Sequence, residues 1–354
     1  MSSGGTLEET IKRLRVELDN YDKTVLALKA LAHELQWDDN TQRLAADCPV
    51  HFGRRMDTSA SNPVSPNATV EPDLTLQLRG GYAVLAEAKM SLPKDPDSLK
   101  KKLSKLRKYD DVLVGWYREE PGVKNHDIIV ITDAVIGNPV SEAMKKMVAS
   151  GALNFNRELA LIKFAILERV NHPVSLELAY GKLSHARKSG KLADTVAIPM
   201  TYVIMNPMFA EVSLYDAEPP YPRLLRLIYE HLQGTLTRDQ QLQVKEGKAT
   251  ELTVVLADLR QSLSEAYGPG QSGKRVPEIP KKVWVKRAMD LFVKLKWASV
   301  DGSRLDTYSY TVKKRRNTDD QFLKICAKGI CAQEWDKGKQ VRPGKQLEFP
   351  GQDS

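Results

Sequence analysis

Residues 71–89 read Glu-Pro-Asp-Leu-Thr-Leu-Gln-Leu-Arg-Gly-Gly-Tyr-Ala-Val-Leu-Ala-Glu-Ala-Lys, and their pattern is typical of two paired strands. Leucines alternate with Thr and Gln over residues 74–78, and Gly80-Gly81 then supplies a tight turn. The return segment, residues 82–88, is mostly apolar on both faces, as a central strand is. The stretch therefore predicts a β-hairpin whose second strand lies inside a larger sheet.

Three charged residues frame this hairpin. Asp73 opens the first strand, and Glu87 and Lys89 end the second. Side chains two positions apart on a strand share a face, so Glu87 and Lys89 project together, and the turn returns Glu87 alongside Asp73. Two converging carboxylates repel each other unless a divalent cation lies between them, and oxygen ligands with spare water positions favour Mg²⁺ or Mn²⁺. The hairpin therefore predicts a metal site at Asp73 and Glu87.

The spacing of these residues carries a family resemblance. Pro72-Asp73, followed after thirteen intervening residues by Glu87-Ala88-Lys89, resembles the motif of the PD-(D/E)xK, or restriction-endonuclease-like, nuclease superfamily. The resemblance implies that Asp73, Glu87 and Lys89 are catalytic, that the two acids bind the metal, and that the lysine positions or deprotonates the attacking water. The open alternative is a solvated strand end, with Asp73 serving as a turn residue after Pro72.

The segments that follow favour an α/β sheet. A leucine stripe predicts a helix over residues 98–110, and apolar runs predict strands at residues 112–116 and 128–132. Alternating strands and helices are typical of an α/β fold. With the resemblance, the expected architecture is a restriction-endonuclease-like mixed sheet flanked by helices.

The predicted helix after the hairpin is rich in lysine. Lys102, Lys105 and Tyr109 share one flank of its leucine stripe, and we expect these three residues to contact nucleic acid. Lys105 and Tyr109 have the spacing of the Gln-x-x-x-Tyr pair of RecB-type nucleases, although lysine stands here in place of glutamine. A solvated face is the alternative for three other lysines: Lys100, Lys101 and Lys108.

The N-terminal region is predicted to be helical. Apolar residues recur at helical spacing over residues 11–18 and again over residues 25–35, which predicts two amphipathic helices. Many members of the superfamily use a further acid from a helix that precedes the sheet. Glu34 is the candidate for this additional metal ligand, with Glu17 or Asp38 as substitutes and an exposed helix glutamate as the alternative interpretation.

The C-terminal region carries the strongest local charge. Residues 281–316 hold 11 Lys or Arg against 3 Asp. An apolar helix, an Asp301-Gly302 turn and a strand over residues 307–312 predict a winged-helix-like module. We expect this module to bind phosphates of nucleic acid through four consecutive residues: Lys313, Lys314, Arg315 and Arg316. A helical interaction domain with a basic surface is the alternative.

These patterns divide the 354 residues into five expected segments. They are an N-terminal helical region at residues 1–47, the nuclease-like domain at 48–234, a helix and linker at 235–280, the basic winged-helix-like module at 281–335, and a disordered tail at 336–354. Within the third segment, residues 250–267 predict one long helix.

Composition points to the partner. The formal net charge of +8 suits a polyanion, and we expect nucleic acid, with DNA favoured. No apolar run approaches the roughly 20 residues of a membrane-spanning helix, and three cysteines suit a reducing compartment. We therefore expect a cytoplasmic protein with no membrane contact.

The resemblance also leads us to expect a particular function. It implies a metal-dependent nuclease, which we assign by association to a prokaryotic antiviral defence or mobile-element system. No phosphate-loop motif appears in the sequence, so any ATPase or targeting function would come from a protein partner; a homodimer is a further expected association. The alternatives are a non-catalytic nucleic-acid-binding or assembly subunit and a transposase-type endonuclease subunit.

Overall fold

The computed structural model describes residues 6–36, 45–78, 81–117, 122–167, 174–184, 196–198, 214–215, 217–268, 278–312 and 319–339. Contacts group the chain into two compact units. The sheet unit comprises residues 20–218 and 258–282, and the C-terminal unit comprises residues 1–19, 219–257 and 283–354. This grouping differs from the expected segments, since residues 219–234 fall in the C-terminal unit.

A seven-stranded mixed sheet forms the centre of the sheet unit. Its strands lie in the order β1 (Ala45–Phe52), β4 (Leu74–Leu78), β5 (Tyr82–Ala88), β7 (Asn125–Asp133), β8 (Leu159–Ile166), β9 (Val174–Tyr180) and β10 (Val196–Ile198). Strands β5, β7 and β8 are parallel, and the other neighbours are antiparallel. The predicted α/β fold, a mixed sheet flanked by helices, is confirmed.

The hairpin lies inside this sheet, because β4 and β5 pair with each other and also with outer neighbours. Leu74 faces Ala86 across the pair, and Gln77 faces Ala83. Gly81 has a φ of +78°, in the left-handed region that glycine adopts without steric cost, whereas Gly80 lies outside the described residues.

The two faces of β5 bury different cores. Val84 and Ala86 belong to a cluster that contains the later part of α1 (Leu7–Gln36). Ala83 and Leu85 belong to a cluster formed with two helices, α2 (Pro96–Ser104) and α3 (Ala134–Ala149). Since strand side chains alternate, residue 87 continues the series of residues 83 and 85. Glu87 therefore faces the side of the sheet that α2 covers.

Several predicted elements have different bounds in the structure. One continuous helix, α1, replaces the two predicted N-terminal helices. The helix predicted over residues 98–110 is α2 followed by a 3-10 helix (Lys105–Tyr109). The strand predicted near residue 112 is only β6 (Leu113–Val114). It lies outside the main sheet, in a small sheet with β2 (Met56–Thr58) and β3 (Thr69–Val70).

A three-stranded antiparallel sheet forms part of the C-terminal unit, in the order β11 (Thr250–Val255), β13 (Thr307–Val312), β12 (Ala298–Val300). The predicted strand over residues 307–312 is thus present. The prediction of one helix over residues 250–267 is wrong, because β11 occupies its first part and α6 (Leu256–Tyr267) begins only afterwards. Four of the six residues of β11 are threonine or valine, at positions 250 and 253–255, and both residue types favour strands.

The remaining helices lie towards the C-terminus. They are α4 (Tyr221–Gly234), α5 (Arg238–Lys245), α7 (Lys282–Lys294) and α8 (Asp319–Lys339). Helix α8 extends into the expected disordered tail, so that expectation is wrong for residues 336–339; residues 340–354 lie outside the described part. None of the helices in the described part is long and apolar enough to cross a membrane.

Candidate functional site

Glu87 is the centre of the candidate site. It is 5% exposed, at the end of a strand whose preceding residues are fully apolar on that face. An ionised carboxylate withdrawn from water costs several kcal/mol unless charged or hydrogen-bonding partners compensate. The partners of Glu87 therefore decide its charge.

Both oxygens of Glu87 receive donors. The Nζ of Lys89 donates to Oε2, and the hydroxyl of Tyr109 donates to Oε1. The Nζ of Lys108 lies 3.5 Å from the same Oε1. One carboxylate thus lies between two ammonium groups, an arrangement with an excess of positive charge.

These partners determine the ionisation of Glu87. Burial opposes it, but attraction to Lys89 and Lys108, with hydrogen bonds from Lys89 and Tyr109, outweighs burial and lowers the pKa of Glu87. A carboxyl group whose pKa is lowered on folding stabilises the fold at neutral pH, and this stabilisation is lost as the pH falls through the lowered pKa. Glu87 is therefore a carboxylate at neutral pH.

Asp73 is hydrogen-bonded to the same end of β5. Its Oδ2 accepts the backbone N–H of Ala88 at 2.6 Å, which fixes it beside the residue between Glu87 and Lys89. The backbone of Lys89 is held by β7: its N–H donates to the Ile131 carbonyl at 2.9 Å, and Thr132 Oγ1 donates to its carbonyl at 2.7 Å. The structure thus brings Asp73, Glu87 and Lys89 together at one end of the hairpin.

Further lysines lie around this strand end. Lys102 is half-buried and donates to the Ser91 carbonyl. Burial lowers its pKa, and the charges of Lys89 and Lys105 lower it further. Lys105 is exposed. We call Lys89, Lys102, Lys105 and Lys108 the lysine cluster.

Two residues of the 3-10 helix have roles that the sequence did not predict. Tyr109 is 0% exposed with its hydroxyl on Glu87, so it is not available to contact nucleic acid, and that prediction is wrong. Lys108, assigned to a solvated face by the alternative interpretation, contacts Glu87 and lies 4.5 Å from the centre of the Tyr109 ring. Lys108 is a site residue that the sequence analysis missed.

Glu34 does not complete a third ligand position. It is 6% exposed, so the alternative of an exposed helix glutamate is wrong. Across the part of the chain that the structure describes, no group of three or more His, Cys, Asp or Glu side chains is placed to hold a metal ion. Glu17 is exposed, and Asp38 lies outside the described residues.

The strand end holds two carboxylates, which are the type of ligand that a hard cation prefers. Mg²⁺ binds proteins through one or two carboxylates and completes its shell with water and substrate phosphate. Asp73 and Glu87 are two such carboxylates. The four expected phosphate contacts at residues 313–316 lie outside the described residues.

Hydrogen bonds with buried polar groups hold the 3-10 helix and the residue that follows it in place. His126 is 2% exposed, and its Nε2 lies 2.7 Å from the Tyr109 carbonyl, a distance that requires Nε2 to carry the proton. Burial lowers the pKa of His126 to about 4. The carboxylate of Asp110 accepts the N–H groups of Asn156 and Arg157 at 2.9 and 2.8 Å. These contacts hold Lys108 and Tyr109 against Glu87.

Replacing Lys108 with methionine tests its place beside Glu87. Loss of one of the two cations removes an attraction that favours the carboxylate, so we expect the pKa of Glu87 to rise. Carboxyl-carbon NMR of protein labelled at glutamate measures this pKa. Lys101→Met removes an exposed lysine of α2 and is the matched control. Identical Glu87 titrations in wild type and Lys108→Met would contradict the placement.

The chain was compared with protein-family models, with curated proteins and with solved structures, and none of the three comparisons found a match.

Proposed function

We propose that this protein is a metal-dependent nuclease of the PD-(D/E)xK type that hydrolyses phosphodiester bonds of nucleic acid, with DNA the favoured substrate. One observation carries the proposal. A buried, ionised Glu87 shares a strand end with Asp73 and Lys89 and contacts two ammonium groups, those of Lys89 and Lys108.

The charge balance of this site favours an anionic substrate. The four lysines of the cluster exceed the two carboxylates, and Lys105 is exposed. Excess positive charge in a partly water-excluded site attracts phosphate and stabilises the additional negative charge of a phosphoryl transition state. A purely structural ion pair needs only one cation for Glu87, which has two.

Five residues of the site have a part in the proposed chemistry. Asp73 and Glu87 would hold Mg²⁺ or Mn²⁺, which when bound supplies charge stabilisation at the phosphate and an acidified water. The Ala88 N–H and the Tyr109 hydroxyl orient the two carboxylates. The ammonium of Lys89 would turn from Glu87 towards the substrate and position the attacking water, and it could accept a proton from that water only after losing one of its own to solvent.

The C-terminal unit supports a second part of the proposal, a winged-helix-like module for nucleic acid. Helix α7 is followed by a β12–β13 hairpin, and β11 pairs with β13 on its other side. Helix followed by hairpin is the arrangement with which winged helices contact DNA. A cytoplasmic role in prokaryotic antiviral defence or mobile-element transfer, with a partner that supplies ATPase or targeting function, remains part of the proposal by association.

One observation favours a second candidate function. Both Glu87 oxygens are engaged by donors of the chain itself, as in a site that keeps the fold but works as a non-catalytic binding or assembly subunit. A transposase-type endonuclease subunit would share the proposed chemistry and differ in its partner.

A cleavage assay decides between these functions. Purified full-length protein is incubated with plasmid, linear duplex and single-stranded DNA in the presence of Mg²⁺, Mn²⁺ or EDTA. We expect products with either metal and none with EDTA, because two carboxylates without a cation repel each other and the phosphate. Intact substrates in all metal reactions, together with measurable DNA binding, would support the non-catalytic subunit.

A further inference from the structure

Lys108 supplies a second cation at Glu87, in addition to Lys89. Its Nζ lies 3.5 Å from Oε1 of Glu87, and its side chain is 29% exposed. This distance exceeds the roughly 2.7–3.2 Å of an N–H···O hydrogen bond, so attraction between charges holds the ammonium there. An ammonium carries three N–H donors, so Lys108 can bind an incoming anion while it stays beside Glu87.

The position of Lys108 is fixed through its backbone and its side chain. Asn62, 3% exposed in the loop between β2 and β3, donates from Nδ2 to the Lys108 carbonyl at 3.0 Å. The side-chain oxygen of Asn62 accepts the N–H groups of Val64 and Ser65 at 3.1 and 2.9 Å. The Lys108 Nζ also lies 4.5 Å from the centre of the Tyr109 ring. A cation held in this way stabilises developing negative charge without a cost of reorganisation.

The two oxygens of Glu87 are not equivalent. Oε1 accepts the Tyr109 hydroxyl and faces Lys108, and Tyr109 is 0% exposed, so this donor cannot turn away without leaving the core. Oε2 accepts Lys89, whose side chain is 28% exposed and can turn towards a substrate. Oε2 is therefore the oxygen that can exchange its donor for a divalent cation, whereas Oε1 keeps its partners.

A second divalent cation would need the place that Lys108 occupies. In two-metal nucleases the cations lie about 3.5–4 Å apart and stabilise the attacking and leaving oxygens of the phosphate. A carboxylate that bridges two such cations presents one oxygen to each, and Oε1 of Glu87 already faces an ammonium. The charges agree with this geometry, because the two carboxylates of Asp73 and Glu87 neutralise one divalent cation and no more.

We infer that Lys108 takes the place of a second metal ion. One divalent cation binds per chain at Asp73 and Glu87, and the ammonium of Lys108 binds a phosphate oxygen of the substrate beside Oε1. The inference rests on the proposed function and assigns the phosphate two cations of different kinds, a metal and an ammonium. Lys108 donates hydrogen bonds and stabilises charge, and it transfers no proton.

This role has a signature that a structural ion pair lacks. A cation repels a divalent metal at the neighbouring carboxylate and attracts a phosphate to the same place. Removing the charge of Lys108 should therefore tighten metal binding and weaken phosphate binding, whereas damage to the fold would weaken both. A lysine that only balances the charge of Glu87 would leave the phosphate affinity unchanged.

The experiment measures binding in the absence of nucleic acid. Full-length protein is titrated with Mn²⁺ alone, with bound metal counted by electron paramagnetic resonance. It is titrated separately with inorganic phosphate in EDTA, followed by the amide NMR shifts of residues 86–89. The test variant is Lys108→Met, and Lys108→Arg keeps the charge. Lys101→Met removes an exposed lysine of α2 as the matched control, and Asp73→Asn identifies Mn²⁺ bound elsewhere on the chain.

We expect one Mn²⁺ per wild-type chain that Asp73→Asn does not bind. In Lys108→Met, Mn²⁺ should bind about 3- to 10-fold more tightly and phosphate roughly 10-fold more weakly, the loss of one charged hydrogen bond. Lys108→Arg and Lys101→Met should stay close to wild type in both titrations. Unchanged phosphate affinity in Lys108→Met would overturn the inference, and so would a count of two Mn²⁺, or of none, at the wild-type site.

A thermal melt of each variant identifies misfolding, and the Mn²⁺ count in wild type tests the inference even if Lys108→Met does not fold. The outcome is separable from the proposed function. A chain that shows this binding pattern and cleaves no substrate would support the inference and exclude the nuclease. A chain that cleaves DNA, with the same phosphate affinity in Lys108→Met as in wild type, would support the nuclease and overturn the inference.

Discussion

Replacing Asp73 with asparagine is expected to lower metal-dependent cleavage by about 10³-fold or more, equivalent to roughly 4 kcal/mol of barrier. The substitution removes the charge that would hold the cation. It keeps a side-chain oxygen that can accept the Ala88 N–H, so the strand end should keep its structure. Turnover rates on duplex and single-stranded DNA with Mg²⁺ measure the effect, and circular dichroism checks the fold.

The matched control for this variant is Asp95→Asn. Asp95 is also a carboxylate that accepts a backbone N–H, from Ser98 at 2.9 Å, and asparagine is an equally good helix N-cap. We expect the control to cleave at the parental rate. If Asp73→Asn also does so, the chemistry lies elsewhere in the chain or belongs to a contaminant.

Acidification is expected to destabilise the sheet unit through His126. Burial lowers the pKa of this histidine from 6.5 to about 4, so the unfolded chain binds a proton that the folded chain excludes. Its contribution to stability is therefore present above pH 6.5 and is lost as the pH falls towards 4. The loss amounts to roughly 3 kcal/mol at ~1.4 kcal/mol per pH unit.

Urea unfolding at a series of pH values measures this effect. In His126→Gln the side chain keeps an N–H donor for the Tyr109 carbonyl but has no titratable proton, so its stability should depend less steeply on pH than that of wild type. Burial also lowers the pKa of His231 in the C-terminal unit, so His231→Gln measures how much a second buried histidine adds to the acid sensitivity. Equal slopes for wild type and His126→Gln would show that other groups cause the acid sensitivity.

The hairpin could be predicted from the sequence because its signals are local. Alternation over residues 74–78 and a Gly-Gly turn determine strand direction and register, and register places Glu87 and Lys89 on one face. The same local reasoning missed that α1 is continuous. Tyr21 is buried and lies between Leu18 and Val25 at helical spacing, so it joins the two apolar runs.

The position of Lys108 could not be predicted in this way. The leucine stripe predicts one α-helix through residue 110, but the structure changes to a 3-10 helix at Lys105. Each 3-10 residue turns about 20° further than an α-helical residue, so after four or five residues the direction has changed by roughly 80° to 100°. This rotation turns Lys108 and Tyr109 towards Glu87. The contact of His126 with Tyr109 joins separate elements and leaves no periodic signal.

The side chains of Lys89, Lys108 and Tyr109 touch Glu87, and the backbone N–H of Ala88 binds Asp73, so all of these groups lie within residues 73–109. The groups of the proposed site therefore lie in one continuous stretch of the chain. The contacts that support these groups come from further along the chain, at His126 and Thr132 and at Asn156 and Arg157. Exchange of residues 283–354, which belong to the other unit, would leave these contacts intact, so descendants of this chain could acquire new targets in that way.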